Sequence, residues 1–394
     1  MTTSDLNLPP GTAVAPAPVR RRRRWPVVVS VVVALLVVLV VASAFITLPY
    51  YALVPGDALA VGPLVSVPAT QAHPLDGSVL LTDVGVDDVR LINWIPDVLD
   101  PNAELVKKQD LTGNLPQNEF DQQGVVDMTE SELTAEAVAL RQVGLSVPET
   151  DVGVTIYTVI PGTPAYGHLQ VGDVVSAVDG SPVTNTSQLV AAIRTHRPGE
   201  VVTLTVGSID HPQPGRPVKV TLGSATEEGK VVPILGIPAG PAPYQWGMGT
   251  QPRYDLPFPV SINPGQIGGP SAGLAFTLGL IDLLSGGHLT GGHVVAATGT
   301  IRPDGSVGDV GGVAQKTVAV ERQHATLFLV PEAELAVARA HATKGLTVVG
   351  VSSLHDALAA LQRAGGELGS AALGPPPGPG GHSLPADWQL APWS

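Results

Sequence analysis

The chain contains no cysteine, which excludes disulfide scaffolds, thiolate nucleophiles and zinc–thiolate centres. No phosphate-binding loop occurs either. The nearest candidate, EEGKVV at residues 227–232, lacks both the earlier glycine and the following Ser or Thr, so the chain carries no ATP-driven motor. Aromatic residues are scarce at 4%, whereas 45 Gly and 38 Pro predict many turns and unstructured ends around a folded body. Basic residues are the minority, 21 Lys and Arg against 34 Asp and Glu, for a formal charge of −13. Five of the arginines stand together at residues 20–24, so the remainder is more acidic still. Such a body repels phosphate backbones, and nucleic-acid binding is excluded. At 394 residues the chain is long enough for two to three domains.

What is present begins with the arginine run, followed by uncharged residues 26–48. That length matches the 20 or so residues a helix needs to cross a bilayer. Arginine before the span and none just after it predict a cytoplasmic tail (1–25), a single-pass anchor in the cell membrane and an extracytoplasmic remainder. A cleavable-signal reading competes, because Ala42-Ser43-Ala44 gives a signal-peptidase pattern. The apolar run continues past it to Tyr50 and Tyr51, which favours an uncleaved anchor.

Residues 51–127 give mixed signals. GSVLLTDVGV reads as a strand, two prolines break LINWIPDVLDPNAELV, and no chemistry is assignable. A helix is expected over residues 128–143. Short strands and turns follow: GVTIYTV, then VGDVVSAVDGSPV, the helix TSQLVAAIRTH, and the strands VVTLTV and PVKVTL. Leu169, Gly172-Asp173, Val174, Val175, Val178, Asp179-Gly180 and Val183 before a helix resemble a PDZ domain, covering residues 128–224. The resemblance implies a β-sandwich that takes an extended chain or C-terminus as an added strand. In this chain it points to residues 153–159 as the receiving edge, 148–151 as the adjoining loop and the helix 187–196 as the groove wall.

From residue 231 an α/β pattern runs to 365, and the Pro- and Gly-rich segment 366–394 reads as a disordered tail. Within it, IGGPSAGLAFTLGL places Ser271 between small flanks at the start of an apolar helix. A serine there is ordinarily a helix cap. It also falls on the stripe of Leu274, Ala275 and Leu278, beside the unpaired amides of a helix N-terminus that suit an oxyanion. Gly269-x-Ser271-x-Gly273 matches a nucleophile elbow, but NPGQIGGP is a poor strand to lead into it, and nothing favours His324, His341 or His355 as its base. A better partner is Lys316, which shares a helical face with Val313, Thr317 and Val320. Such a lysine either snorkels to water or is buried; buried, it loses its proton readily and serves as a general base.

GGPSAG with Ser271, then ATGTI, VGDVGGV and Lys316, resembles the proteolytic domain of the Lon peptidase family over residues 231–365. The resemblance implies a Ser271–Lys316 catalytic dyad, with Thr298 as the threonine beside the lysine amine, no cofactor, and assembly into a homo-oligomeric ring. The whole chain resembles bacterial membrane-anchored, PDZ-containing Lon-like serine proteases. The expected fold class is therefore multidomain α+β: a transmembrane helix, a PDZ-like β-sandwich and a Lon-type α/β domain. The expected function is ATP-independent endoproteolysis of unfolded or extended exported or membrane polypeptides, with the PDZ-like domain recognising or gating them. The rival reading is a silent membrane-tethered scaffold that binds through its PDZ-like groove. His288 and His293 lie in a glycine-rich stretch with no acidic residue at ligand spacing, so no metal is assigned.

Overall fold

The computed structural model describes residues 25–113, 115–237 and 247–369. The basic tail and nearly all of the C-terminal tail lie outside the described residues.

Helix α1 (Trp25–Ser43) is uncharged and apolar but for Ser30 and Ser43, and its residues from Val27 to Val41 are exposed. It ends five residues short of the end of the apolar run read from sequence, because the chain turns at Ala44 and Phe45 and enters strand β1 (Thr47–Ala60). Among the described residues no helix is long and apolar enough to cross a membrane.

Strand β1 pairs antiparallel with β2 (Ser78–Arg90), and after the short helix α2 (Trp94–Leu99) strand β3 (Glu104–Lys107) pairs on its other side. The long helix α3 (Gln117–Gln142) starts well before the expected residue 128. It does not belong to the PDZ-like unit. Its Met128, Ala135, Val138 and Ala139 join the main core instead.

The chain then leaves this body to form a second sheet. Strands β4 (Glu149–Ile156), β5 (Asp173–Val178), β6 (Val201–Ser208) and β7 (Arg216–Thr221) are joined by a later strand, β8 (Met248–Tyr254), in the order β8-β4-β5-β6-β7. Helix α4 (Thr186–Arg194), capped by Asn185 accepting from the Gln188 amide, packs Leu189 and Ile193 onto Val154, Ile156, Val175 and Leu204. The expected receiving edge is corrected here. Residues 153–156 of β4 are already paired, with β8 on one side and β5 on the other, and 149–151 are strand rather than loop. Among the described strands the open edge on that side is β8, whose Thr250 hydroxyl accepts a hydrogen bond from the Thr186 amide of α4 at 3.4 Å.

Beyond β8 the chain returns to the first body. Helix α5 (Gly273–Ser285), β9 (Val294–Ala297), helix α6 (Val313–Arg322), β10 (Leu327–Pro331), helix α7 (Leu335–His341), β11 (Thr347–Val351) and helix α8 (Leu354–Arg363) complete it. The sheet order is β11-β10-β9-β2-β1-β3, parallel from β11 to β2. Side chains alternate across it as the pleat requires: Val79, Leu81 and Leu329 face α3, α5 and α8, while Leu80, Phe328 and Val330 face α6 and α7. Both faces are buried, hence the near-continuous apolar runs of β9 and β10. Residues 51–107, to which the sequence assigned no role, thus supply half of this sheet, and the PDZ-like sheet is inserted between α3 and α5.

Candidate active site

Ser271 sits in a single 3-10 turn (Pro270–Ala272) directly before α5. Residues 263–269 before it are turn and coil, so no strand feeds the serine and a nucleophile elbow is not formed. Its side chain caps nothing either: Ala272 occupies the cap position of α5, without a side-chain hydrogen bond. The turn is stitched to the end of β9. The Gly299 amide donates to the Ser271 carbonyl at 2.9 Å, the Leu274 amide donates to the Gly299 carbonyl at 3.1 Å, and the Thr298 hydroxyl reaches the Ser271 carbonyl at 3.2 Å.

Lys316 lies one turn into α6, after a left-handed Gly312. Its side chain does not snorkel: the residue is 3% exposed and Nζ donates to Thr298 Oγ1 at 3.1 Å. The hydroxyl of the fully buried Thr298 therefore links the lysine amine to the backbone of the serine. No hydrogen bond joins Ser271 Oγ to Lys316 among the described residues; the two meet through Thr298.

Burial pushes the Lys316 amine down to about 8, with the carboxylates of Glu334 and Asp83 pulling the other way. These two acids escaped the sequence reading. Asp83 lies on β2, its carboxyl raised chiefly by burial, and Glu334 follows β10, its carboxyl raised to about 7 for the same reason. Glu334 Oε1 accepts from the Val310 amide at 2.7 Å and so holds the turn that leads into α6. Their signal was faint: an acid inside LLTDVGV, and one of two in PEAE after a buried strand.

Of the amides expected to hold an oxyanion, that of Gly269 is engaged. It donates to the Gly124 carbonyl of α3 at 2.7 Å, from a backbone at φ 85° that favours glycine. Ser131 of the same helix donates to the Pro270 carbonyl at 3.1 Å. Two residues after Gly124, Val126 packs against Tyr157, Val174 and Ile209 of the inserted domain, and Glu130 accepts from the Tyr157 hydroxyl. One helix therefore holds the serine turn and the inserted domain together.

The histidines lie apart from this arrangement. His288 pairs with Asp76 at 2.8 Å, and His341 Nδ1 meets the Val337 carbonyl. Among the described residues no group of three or more His, Asp or Glu is placed to hold a metal ion.

Comparison with known proteins agrees with these two bodies. A family model for the PDZ domain matches residues 141–208, and one for the Lon protease (S16) C-terminal proteolytic domain matches 259–363. No curated protein matches the chain significantly. Among solved structures, the PDZ domain of the SdrC-like protein from Listeria monocytogenes is 21% identical over 22% of this chain and 84% of its own, with a TM-score of 0.19. Its counterpart from Listeria innocua is 23% identical over 21% and 89% (TM-score 0.18), and a Geobacillus thermodenitrificans protein 26% identical over 20% and 88% (TM-score 0.18). TM-scores this low carry no argument about the chain as a whole. The two family matches show a PDZ domain and a Lon protease (S16) C-terminal proteolytic domain within this chain, consistent with a PDZ-containing Lon-like protease.

Proposed function

We propose that the protein is an ATP-independent endopeptidase in which Ser271 is the nucleophile and Lys316 its general base. The observation that carries this is the buried Lys316, its amine pushed down to about 8 and bonded to a threonine that also grips the serine turn. Ser271 Oγ attacks the scissile carbonyl carbon and its proton passes to Lys316 Nζ. The C–N bond then breaks as that proton is returned to the departing amine, and water releases the acyl group by the same exchange. Thr298 aims the lysine and is a positioning residue. The Ser271 hydroxyl has to close on Lys316 when substrate binds, a tightening common at catalytic hydrogen bonds. Amides of the 269–272 turn supply the oxyanion site, that of Gly269 after leaving Gly124.

The inserted domain takes an extended chain as a strand on β8, with α4 as the wall of the groove. Its hold on α3 makes it a gate: whatever moves α3 also moves the partner of the Gly269 amide. Helix α1 tethers the enzyme to the cell membrane, with the catalytic part outside. Phe45 and Ile46, exposed and apolar just beyond the helix, extend its apolar surface. Without an unfolding motor, substrates are unstructured or already extended segments of exported or membrane proteins. Degradation of casein by the full chain in detergent, without ATP, tests the reading. The wild type is expected to cut, and Ser271→Ala and Lys316→Ala to be inert while folded. A folded but inert wild type favours the scaffold instead.

A further inference from the structure

The end of α1 is surrounded by apolar side chains that none of the described residues covers. Phe45 is 81% exposed just after the helix, with Ile46 beside it. Across from them the segment 91–99 carries Leu91, Ile92, Ile95, Val98 and Leu99, every one exposed, Leu99 at 75%. These two stretches are one surface, because the Leu91 amide donates to the Ile46 carbonyl at 2.9 Å and the Ile92 amide to the Ser43 carbonyl at 3.3 Å. Behind them the rings of Tyr50 and Trp94 lie 5.4 Å apart. Tyr and Trp side chains, apolar with a polar tip, favour the headgroup level of a bilayer. Soluble surfaces rarely carry so many large apolar groups side by side.

We propose that segment 91–99, with α2 at its centre, is a second membrane contact that lies in the lipid interface beside the exit of α1. This rests on the reading of α1 as an anchor: where α1 leaves the hydrocarbon at Ser43, residues bonded to 43–46 are held at the same depth. The occupant is the acyl–headgroup boundary of a phospholipid leaflet: Arg90 just before the segment and Asp97 and Asp100 within and just after α2 leave little net charge, so apolar burial selects it. Two contacts, a helix and a flanking patch, fix the tilt of the proteolytic body where one flexible tether does not. That orientation restricts the enzyme to chain segments presented close to the bilayer surface.

The absence of cysteine makes the test direct. Single-cysteine variants Leu36→Cys, Ile95→Cys, Leu99→Cys and Val337→Cys of the full chain are spin-labelled in phosphatidylcholine vesicles, and collisions with oxygen and with a water-soluble nickel complex are compared. Leu36 lies within α1, and Val337 is exposed on α7 of the proteolytic body. The expected result is a deep, oxygen-favoured label at 36, shallow but oxygen-favoured labels at 95 and 99, and a nickel-favoured label at 337. Labels at 95 and 99 as nickel-accessible as that at 337, with 36 still deep, overturn the patch and leave the anchor standing. Nickel access at 36 as well overturns both. Labels at 95 and 99 that are immobilised and shielded from both quenchers overturn the lipid contact in favour of a second copy of the chain.

Discussion

In the proposed mechanism three side chains from three separate elements carry the chemistry: Ser271 before α5, Thr298 after β9 and Lys316 in α6. The threonine hydroxyl touches both sides of the pair, so Thr298→Val is expected to lower kcat by 10-fold or more with KM little changed, while Thr298→Ser retains most activity. Steady-state kinetics on a peptide substrate reads the difference. The two acids near the lysine predict a pH effect. Their negative charge favours the protonated amine, so Glu334→Gln or Asp83→Asn lowers the Lys316 pKa further and moves the alkaline-rising limb of kcat/KM to lower pH. Gln at 334 keeps a side-chain oxygen for the Val310 amide, which separates the electrostatic effect from loss of the turn. Ser271 and Lys316 were legible in the sequence because glycine flanks and a lysine on an apolar face are local patterns. Asp83 and Glu334 were not, since their proximity to the lysine arises only when β2 and the end of β10 are brought to α6.

At the scale of elements, α3 is the piece with most consequence. It carries Asp127, Glu130 and Glu132 toward the inserted domain, where Tyr157 and Asp210 meet them, and Glu136 one turn after Glu132. Arg141, paired with Glu149 at 3.1 Å and lying over the Tyr254 ring, is the nearby cation. Burial raises these carboxyls, Asp127 and Glu136 to about 8 and Glu130 and Glu132 to about 7. A carboxyl raised on folding keeps its proton where the unfolded chain has lost it, so stability is highest at acid pH and falls as pH rises from about 4.5 towards 8. Thermal unfolding of the wild type is expected to shift to lower temperature between pH 5.5 and 8. Glu130→Gln, which still accepts from Tyr157, is expected to flatten that fall; an equal slope in the variant contradicts the assignment. The same helix was only partly legible, because Gly124 and the polar first turns interrupt the apolar periodicity that marks a helix. Strands β1 and β8 were missed for a similar reason. Pro55-Gly56 and Pro252 look like turns in isolation, yet both sit at register shifts where the pairing is already interrupted.

For the whole molecule, the consequence is an interleaved chain: strands β1 and β2 and helix α3 come before the inserted domain, and the catalytic elements after it. The Lon-type match begins at residue 259, but the sheet that supports it begins at Thr47. A fragment of residues 255–369 is thus expected to fail to fold cooperatively, for want of β1, β2 and the α3 face of its core. Circular dichroism melts compared with the full chain check this, and a sharp unfolding transition in the fragment contradicts the interleaved account. Domain types were legible from local motifs, whereas the insertion was not, because strand pairing across more than 200 residues leaves no mark in local periodicity.

Activation of Ser271 rests on the buried Lys316 amine, which burial pushes down to about 8. The most direct measurement is the pH dependence of kcat/KM for peptide cleavage by the full chain without ATP, for the wild type and Lys316→Ala. The rate is expected to climb with pH and level off above about 8, and Lys316→Ala to be folded and slower by at least 100-fold throughout. Activity that survives in Lys316→Ala, or a limb near pH 6.5 typical of histidine, contradicts it.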